Sequence, residues 1–294
     1  MGSEIEAYLK EKREVVEAAL DRFLPPSDEY PPRIHEAIRY AAFGPGKRLR
    51  PILVLATTEI AGGADDNVLE AAAALEFIHA ATLVLDDLPA MDNASLRRGR
   101  AACHKVYGEA DTILAAVALL THAFGLVALN GERLRVRRER LARAVREVAL
   151  ATGSVGLVGG QHMDLEVAGK TVDLGTLEYI HSHKTGHLFI LAATLGPILF
   201  GAGEADITAL GNYAKNLGLA FQVVDDLLDR EATPEIAGKD TGRDRTSFLS
   251  LVAPAEARAL VEELVKSARG WLKPFGAKAQ ILHALAARVA EARS

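Results

Sequence analysis

Apolar residues recur at three- and four-residue spacing along almost the whole chain, beginning with Ile5, Tyr8, Leu9, Val15, Val16, Ala19 and Leu20. That spacing is one face of an α-helix. It predicts helices over 4–22, 33–43, 50–62, 67–88, 111–129, 134–152, 154–168, 174–200, 204–230, 254–272 and 276–292. Strand-like alternation between turn signals is nowhere sustained. Breakers separate the helices at PPSDEYPP (25–32), GPG (44–46), AGGADDN (61–67) and TPEIAGKDTGRDR (233–245). These read as loops rather than domain linkers, so the expectation is a single domain over 1–294 with an all-α bundle fold.

Composition narrows the function classes. The chain is 49% hydrophobic and 25% charged, values that allow a sizeable core and exclude disorder. A net charge of −5 provides no overall basic field, so nucleic acid is not an expected partner. Cys103 is the only cysteine, which excludes an internal disulfide and a cysteine-based zinc cluster and fits a reducing compartment, the cytoplasm. The first residues lack the basic-then-apolar order of a signal peptide. One stretch, 112–129 closed by Asn130, approaches the length that crosses a bilayer. Thr121, His122 and Gly125 interrupt it, and the centre of a large soluble bundle needs such a helix too, so no membrane span is expected.

The main chemical clue is an Asp-Asp pair that closes a long apolar run twice, at Asp86–Asp87 and at Asp225–Asp226. In FQVVDDLLD, Asp225 and Asp229 stand four residues apart, about 40° around a helix and roughly 5–6 Å along it. They can share one ion. Like charges at that spacing beside Phe221, Val223 and Val224 destabilise a helix that has no counter-ion. Asp92 follows Asp86 by six residues, on the wrong face of a continuous helix, but Pro89 breaks the ladder and lets the chain return it. Oxygen-only ligands point to a hard cation, and Mg²⁺ binds through one or two carboxylates plus substrate phosphates. Carboxylates repel a diphosphate, metal ions bridge the two, and Arg or Lys neutralises the oxygens left over.

Cations stand near breakers in GPGKRLRP (44–51), LRRG (96–99), HKTG (183–186) and GKDTGRD (238–244). The first lacks the spacing of a nucleotide P-loop. His181, His183 and His187 include one i, i+4 pair, but Lys184 lies between them and no zinc site is expected. GLVGGQHMDL (156–165) permits close helix approach, with Gln161 and Asp164 facing either the cavity or the next helix.

Seven segments carry a resemblance: GKRLRP (46–51), FIHAATLVLDDLPAMD (77–92), LRRG (96–99), GGQHMDL (159–165), KTG (184–186), FQVVDDLLD (221–229) and GKD (238–240). In this order, from about residue 33 to 250, they resemble the trans-isoprenyl diphosphate synthases, the polyprenyl synthetase family of head-to-tail prenyltransferases. The bacterial geranylgeranyl and farnesyl diphosphate synthases are the most similar group. The resemblance implies an isoprenoid-synthase helical bundle around a deep central cavity, two acidic segments facing across its mouth, and a homodimer.

It also implies a reaction: isopentenyl diphosphate condenses with an allylic diphosphate, which first loses its diphosphate to leave a delocalised carbocation. Asp86, Asp87, Asp92 and Asp225, with Asp226 and Asp229, are then the Mg²⁺ set. Arg97, Lys184 and Lys239 become the cationic partners of the allylic diphosphate. Lys47, Arg50, His79 and Arg98 match the isopentenyl diphosphate positions, while Thr185 and Gln222 face the allylic cation. The chain departs from the commonest family pattern at Leu85, Ala94, Ser95 and Arg245. Product length is expected to depend on Ala81 and Thr82, with Phe77 and Ile78 closing the floor a turn deeper, which favours geranylgeranyl diphosphate. The alternatives are farnesyl diphosphate as main product, a non-catalytic partner subunit, which would have lost aspartates from one cluster, and a class I terpene cyclase, which would have replaced the second.

Overall fold

The computed structural model describes residues 2–231 and 248–291, with side chains left undescribed at 2, 3, 229–231 and 250. The chain runs through α1 (Gly2–Phe23), α2 (Pro32–Ala42), α3 (Leu49–Ile60), α4 (Leu69–Asp86), α5 (Cys103–Tyr107), α6 (Glu109–Arg133) and α7 (Arg138–Thr152). It continues through α8 (Leu157–Glu166), α9 (Leu174–His181), α10 (His187–Phe200), α11 (Glu204–Glu231), α12 (Pro254–Trp271) and α13 (Gln280–Glu291). The all-α expectation holds.

The centre is α4, because its sequence is apolar on nearly every side. From Glu70 to Ala81 only His79 is not buried. Four successive alanines, Ala71–Ala74, let neighbours come close, and α6 packs along α4 more extensively than any other helix pair in the described residues. A second layer forms where α10 packs on α3, α7 and α11, and α12 covers the outside of α11. Buried charges on α4 are paired, as burial requires. Glu70 takes both a 2.7 Å bond from Arg133 Nε and one of 2.7 Å from Nη2, and Glu76 accepts from Arg48. Buried Asn130 on α6 accepts from the Ala71 amide and donates to the Asn67 carbonyl, satisfying the open start of α4.

Three local features depart from the helix spans read from periodicity. The expected helix 174–200 is divided at Ser182–Gly186, where the His187 amide bonds back five residues to Ser182 in a π-turn. Gly160 on α8 explains how the turn is accommodated: a Cβ there would lie 2.2 Å from the Lys184 nitrogen. The expected helix 67–88 stops at Asp86, and a two-residue hairpin follows, pairing Leu96 with Ala101 and Arg97 with Arg100. Its central residues Arg98 and Gly99 have φ of 52° and 77°, the two left-handed positions of a tight hairpin turn. Such short pieces leave no period to read.

Helix α6 is long and apolar enough to cross a membrane by length and composition. One of its faces is core, against α4, and the other exposes Ile113, Leu114, Val117 and Leu129.

Candidate active site

The first acidic segment takes its shape from the loop after Pro89. Once α4 ends, the Leu88 carbonyl accepts from the amides of Met91 and Asn93, and the Asp92 amide donates to the Asp86 carbonyl at 2.9 Å. The loop therefore returns Asp92 beside Asp86. Asp87 is buried at 1% exposure and accepts from Arg97, at 2.9 and 3.1 Å from Nε and also from Nη2. This carboxylate fixes the hairpin to the end of α4. Burial opposes the Arg97 charge, but the hydrogen bond and charge of Asp87, with Asp86 and Asp92, raise its pKa.

The basic loop 44–50 meets this hairpin. Arg98 Nη1 donates to the Pro45 carbonyl at 2.5 Å. Arg48 and Arg98 both hold left-handed backbone, each with φ 52°, a conformation that costs energy away from glycine and is kept only where the surroundings impose it. Arg50 stacks over the Phe189 ring at 4.9 Å, and its Nη1 lies 3.4 Å from His79 Nε2. An arginine can only donate, so that nitrogen of His79 accepts and the ring is neutral. The electrostatics agree: desolvation, and then the charges of Arg50, Arg98, Arg48 and Arg97, hold His79 well below its usual pKa. Burial lowers Arg50 to about 10 against the favourable charge of Glu76.

The second acidic segment lies on α11. Thr185 Oγ1 donates to Gln222 Oε1 at 3.1 Å, Gln222 Nε2 donates to Asp226 Oδ1 at 3.2 Å, and Asp226 Oδ2 accepts from the Phe248 amide at 2.8 Å. Asp226 thus sets the orientation of the Gln222 amide. Asp225 favours the charged forms of both Arg50 and Arg98, which puts α11 within electrostatic reach of the basic loop and of the hairpin held by Asp87. Lys184 Nζ donates to Asp164 Oδ2 at 2.7 Å. Gln161 is buried, and its amide atoms find no partner among the described residues.

A cavity of about 300 Å³ opens beside Lys47 and Asp225 and runs between α1, α3, α11 and α13, past Leu53, Phe221 and Leu285. It does not follow α4. Ala81, Ile78 and Phe77 are all at 0% exposure, and the Phe77 ring lies 5.7 Å from His122, whose Nε2 donates to the Phe23 carbonyl. Half-buried Thr82 donates to the His79 carbonyl.

The model of the family described as Polyprenyl synthetase matches residues 31–265. The chain belongs to that family. A dimethylallyltranstransferase of Fischerella ambigua (strain UTEX 1903) is 42% identical over 284 residues, 95% of this chain and 81% of the relative. A geranylgeranyl diphosphate synthase of Cyanophora paradoxa is 42% identical over 284 residues, covering 95% of this chain and 93% of its own. A crystal structure of an FPP/GFPP synthase from Zymomonas mobilis superposes with a TM-score of 0.88 at 33% identity, over 99% of this chain and 100% of that one.

Oxygen donors of the kind a hard cation takes are present in Asp86, Asp92 and Asp225. Among the described residues no three ligating side chains stand together as a ready metal site. Lys239 and Arg245 lie outside the described residues, as does the side chain of Asp229. The three histidines form no metal cluster: His183 stacks on Tyr179, and buried His181 meets Phe248 edge-on.

Glu76, Phe189 and His122 lie outside the quoted motifs, and Arg48 lies within GKRLRP with no role assigned to it there. Glu76 had a readable signal, an acid within an apolar helix three residues before His79.

Proposed function

We propose that this polyprenyl synthetase condenses isopentenyl diphosphate with dimethylallyl, geranyl or farnesyl diphosphate, with geranylgeranyl diphosphate as its main product. The observation that supports this reading most is the cavity that opens beside both Lys47 and Asp225, one from the basic loop and one from the second acidic segment. Acids for a metal-bound diphosphate and cations for a second diphosphate then line one space.

Asp86, Asp92, Asp225 and Asp229 are the residues that would hold Mg²⁺; Asp87 and Asp226 serve them by positioning Arg97 and Gln222. When bound, the ions neutralise the allylic diphosphate and help it to depart. Arg97, Lys184 and Lys239 take the remaining phosphate charge, and Lys184 must leave Asp164 to do so. Lys47, Arg50 and Arg98 hold isopentenyl diphosphate, and neutral His79 offers a hydrogen bond. The allylic C–O bond breaks, the isopentenyl double bond supplies the electron pair of the new C–C bond, and the proton on the adjacent carbon passes to an oxygen of the departed diphosphate. Thr185 and the Gln222 carbonyl turn oxygen lone pairs towards the cation, and the apolar walls exclude water that would trap it.

The exposed face of α6 is proposed as the homodimer contact, since Ile113, Leu114 and Val117 form an apolar patch that stays exposed among the described residues. Buried Cys103, the lone cysteine, fits a reducing cytoplasm. The direct test incubates the protein with Mg²⁺, isopentenyl diphosphate and each labelled allylic primer, followed by chromatography of the products. Condensation to a geranylgeranyl product supports the reading, and no product from any primer refutes it.

A further inference from the structure

Glu76 takes no part in the proposed condensation, yet its buried carboxylate stands directly behind the isopentenyl cations. Its Oε1 accepts from Arg48 Nη1 at 2.5 Å, and the two side chains are only 5% and 4% exposed. Arg48 is held further by Glu17, at 2.8 Å from Nε, and by the Gly44 carbonyl, at 3.0 Å from Nη2. These bonds close the 44–48 turn on itself. Lys47 precedes Arg48 within this turn, and Arg50 stands in the first turn of α3, two residues on. On the other side, Arg98 grips the same turn through Pro45. A cavity of about 50 Å³ between Glu76, His79 and Arg98 leaves space for a freed side chain to move into.

We infer that Glu76 is a positioning residue for the isopentenyl diphosphate site: through Arg48 it fixes the 44–48 turn, and so sets Lys47, and Arg50 beside His79, before substrate arrives. The inference rests on the proposed prenyl transfer. Two effects of the carboxylate oppose each other and make the idea testable. As a negative charge near three arginines it weakens their attraction for a diphosphate. As an anchor it places them. If charge alone mattered, removing it would tighten diphosphate binding; if placement dominates, removal weakens it.

The test compares wild type with Glu76→Gln, Arg48→Met and the double variant. With saturating allylic substrate, Glu76→Gln is expected to raise KM for isopentenyl diphosphate at least tenfold, while KM for the allylic substrate stays within twofold. The double variant is expected to be no worse than Arg48→Met alone, because both act through one contact. Calorimetric titration of inorganic pyrophosphate without magnesium reads the cation site apart from turnover, and at least tenfold weaker binding is expected in Glu76→Gln. Unchanged or tighter pyrophosphate binding overturns the inference, as does a fall in both KM selectivity and kcat that merely tracks a lowered Tm. Should Glu76→Gln not fold, the double variant, which leaves no lone buried charge, carries the same comparison with Arg48→Met. Wild type that binds pyrophosphate but never condenses substrates refutes the proposed reaction, while the pyrophosphate comparison still decides the role of Glu76.

Discussion

The Asp226 carboxylate and the Gln222 amide are joined at 3.2 Å, and Asp226 uses its second oxygen on the Phe248 amide. With both oxygens accepting, Gln222 must present its own carbonyl to Thr185. An Asp226→Asn variant supplies one acceptor where two donors arrive, so one bond is lost and Gln222 is free to turn. Losing a hydrogen bond to a charged group costs about 1.5–3 kcal/mol. Felt in the transition state, that is roughly a 10- to 100-fold fall in kcat. Steady-state kinetics with both substrates varied should show it, and an unchanged kcat would count against the Thr185–Gln222 pair.

Acid should destabilise the protein through its buried histidines. Desolvation lowers His181 to about 4 from the usual 6.5. Between those pH values the unfolded state binds a proton that the folded state does not. Stability from this residue is therefore intact above about pH 6.5 and declines by about 1.4 kcal/mol per pH unit as pH falls through the window. His79 and His187 are also lowered and add to the slope. Urea denaturation between pH 7 and 4.5 should be less steep in pH for His181→Asn than for wild type.

Product length should follow the side chains beneath Asp86. An Ala81→Tyr variant, if the tail runs down α4, is expected to shorten the main product by at least one isoprene unit. Phe77→Leu, a large-to-small core change that costs less than the about 3–5 kcal/mol of truncation to alanine, should lengthen a fraction of it by loosening the pair with His122. Chromatography of extended products reads both. Products unchanged in Ala81→Tyr would remove α4 from the tail path.

The α6 face offers a test of assembly. Leu114 and Val117 are 57% and 51% exposed and one turn apart. Charging both, as Leu114→Glu with Val117→Glu, places two carboxylates where a second copy would bury them, and sedimentation should show monomers in place of dimers. A stable interface of this kind hides about 800 Å² on each partner, so a wild-type monomer at micromolar concentration would be equally informative.

How much of this was legible in the sequence depended on period and punctuation. Long amphipathic or apolar runs such as α4, α6 and α11 declare themselves because their spacing persists for several turns. Pro89 announced the bend that returns Asp92. The π-turn did not show: Ser182–Gly186 is polar but holds no proline, so the apolar runs on either side read as one helix, and the interruption depends on how closely Gly160 lets α8 approach. The acids were recognisable as clusters, but their hydrogen-bond partners were not. That Asp87 serves Arg97 and Asp226 serves Gln222 depends on which neighbours the fold brings near. Glu76 stood in plain view as an acid in an apolar helix, yet its partner Arg48 comes from 28 residues away.

Helix α4 carries Phe77, Ala81, His79 and Asp86 on one rigid axis, each a fixed 1.5 Å step from the next residue. If the tail runs down α4, that helix works as a ruler whose zero mark is the departing diphosphate. A descendant of this enzyme could make a different lipid by shifting one bulky stop a turn along that scale, with its acids and arginines untouched.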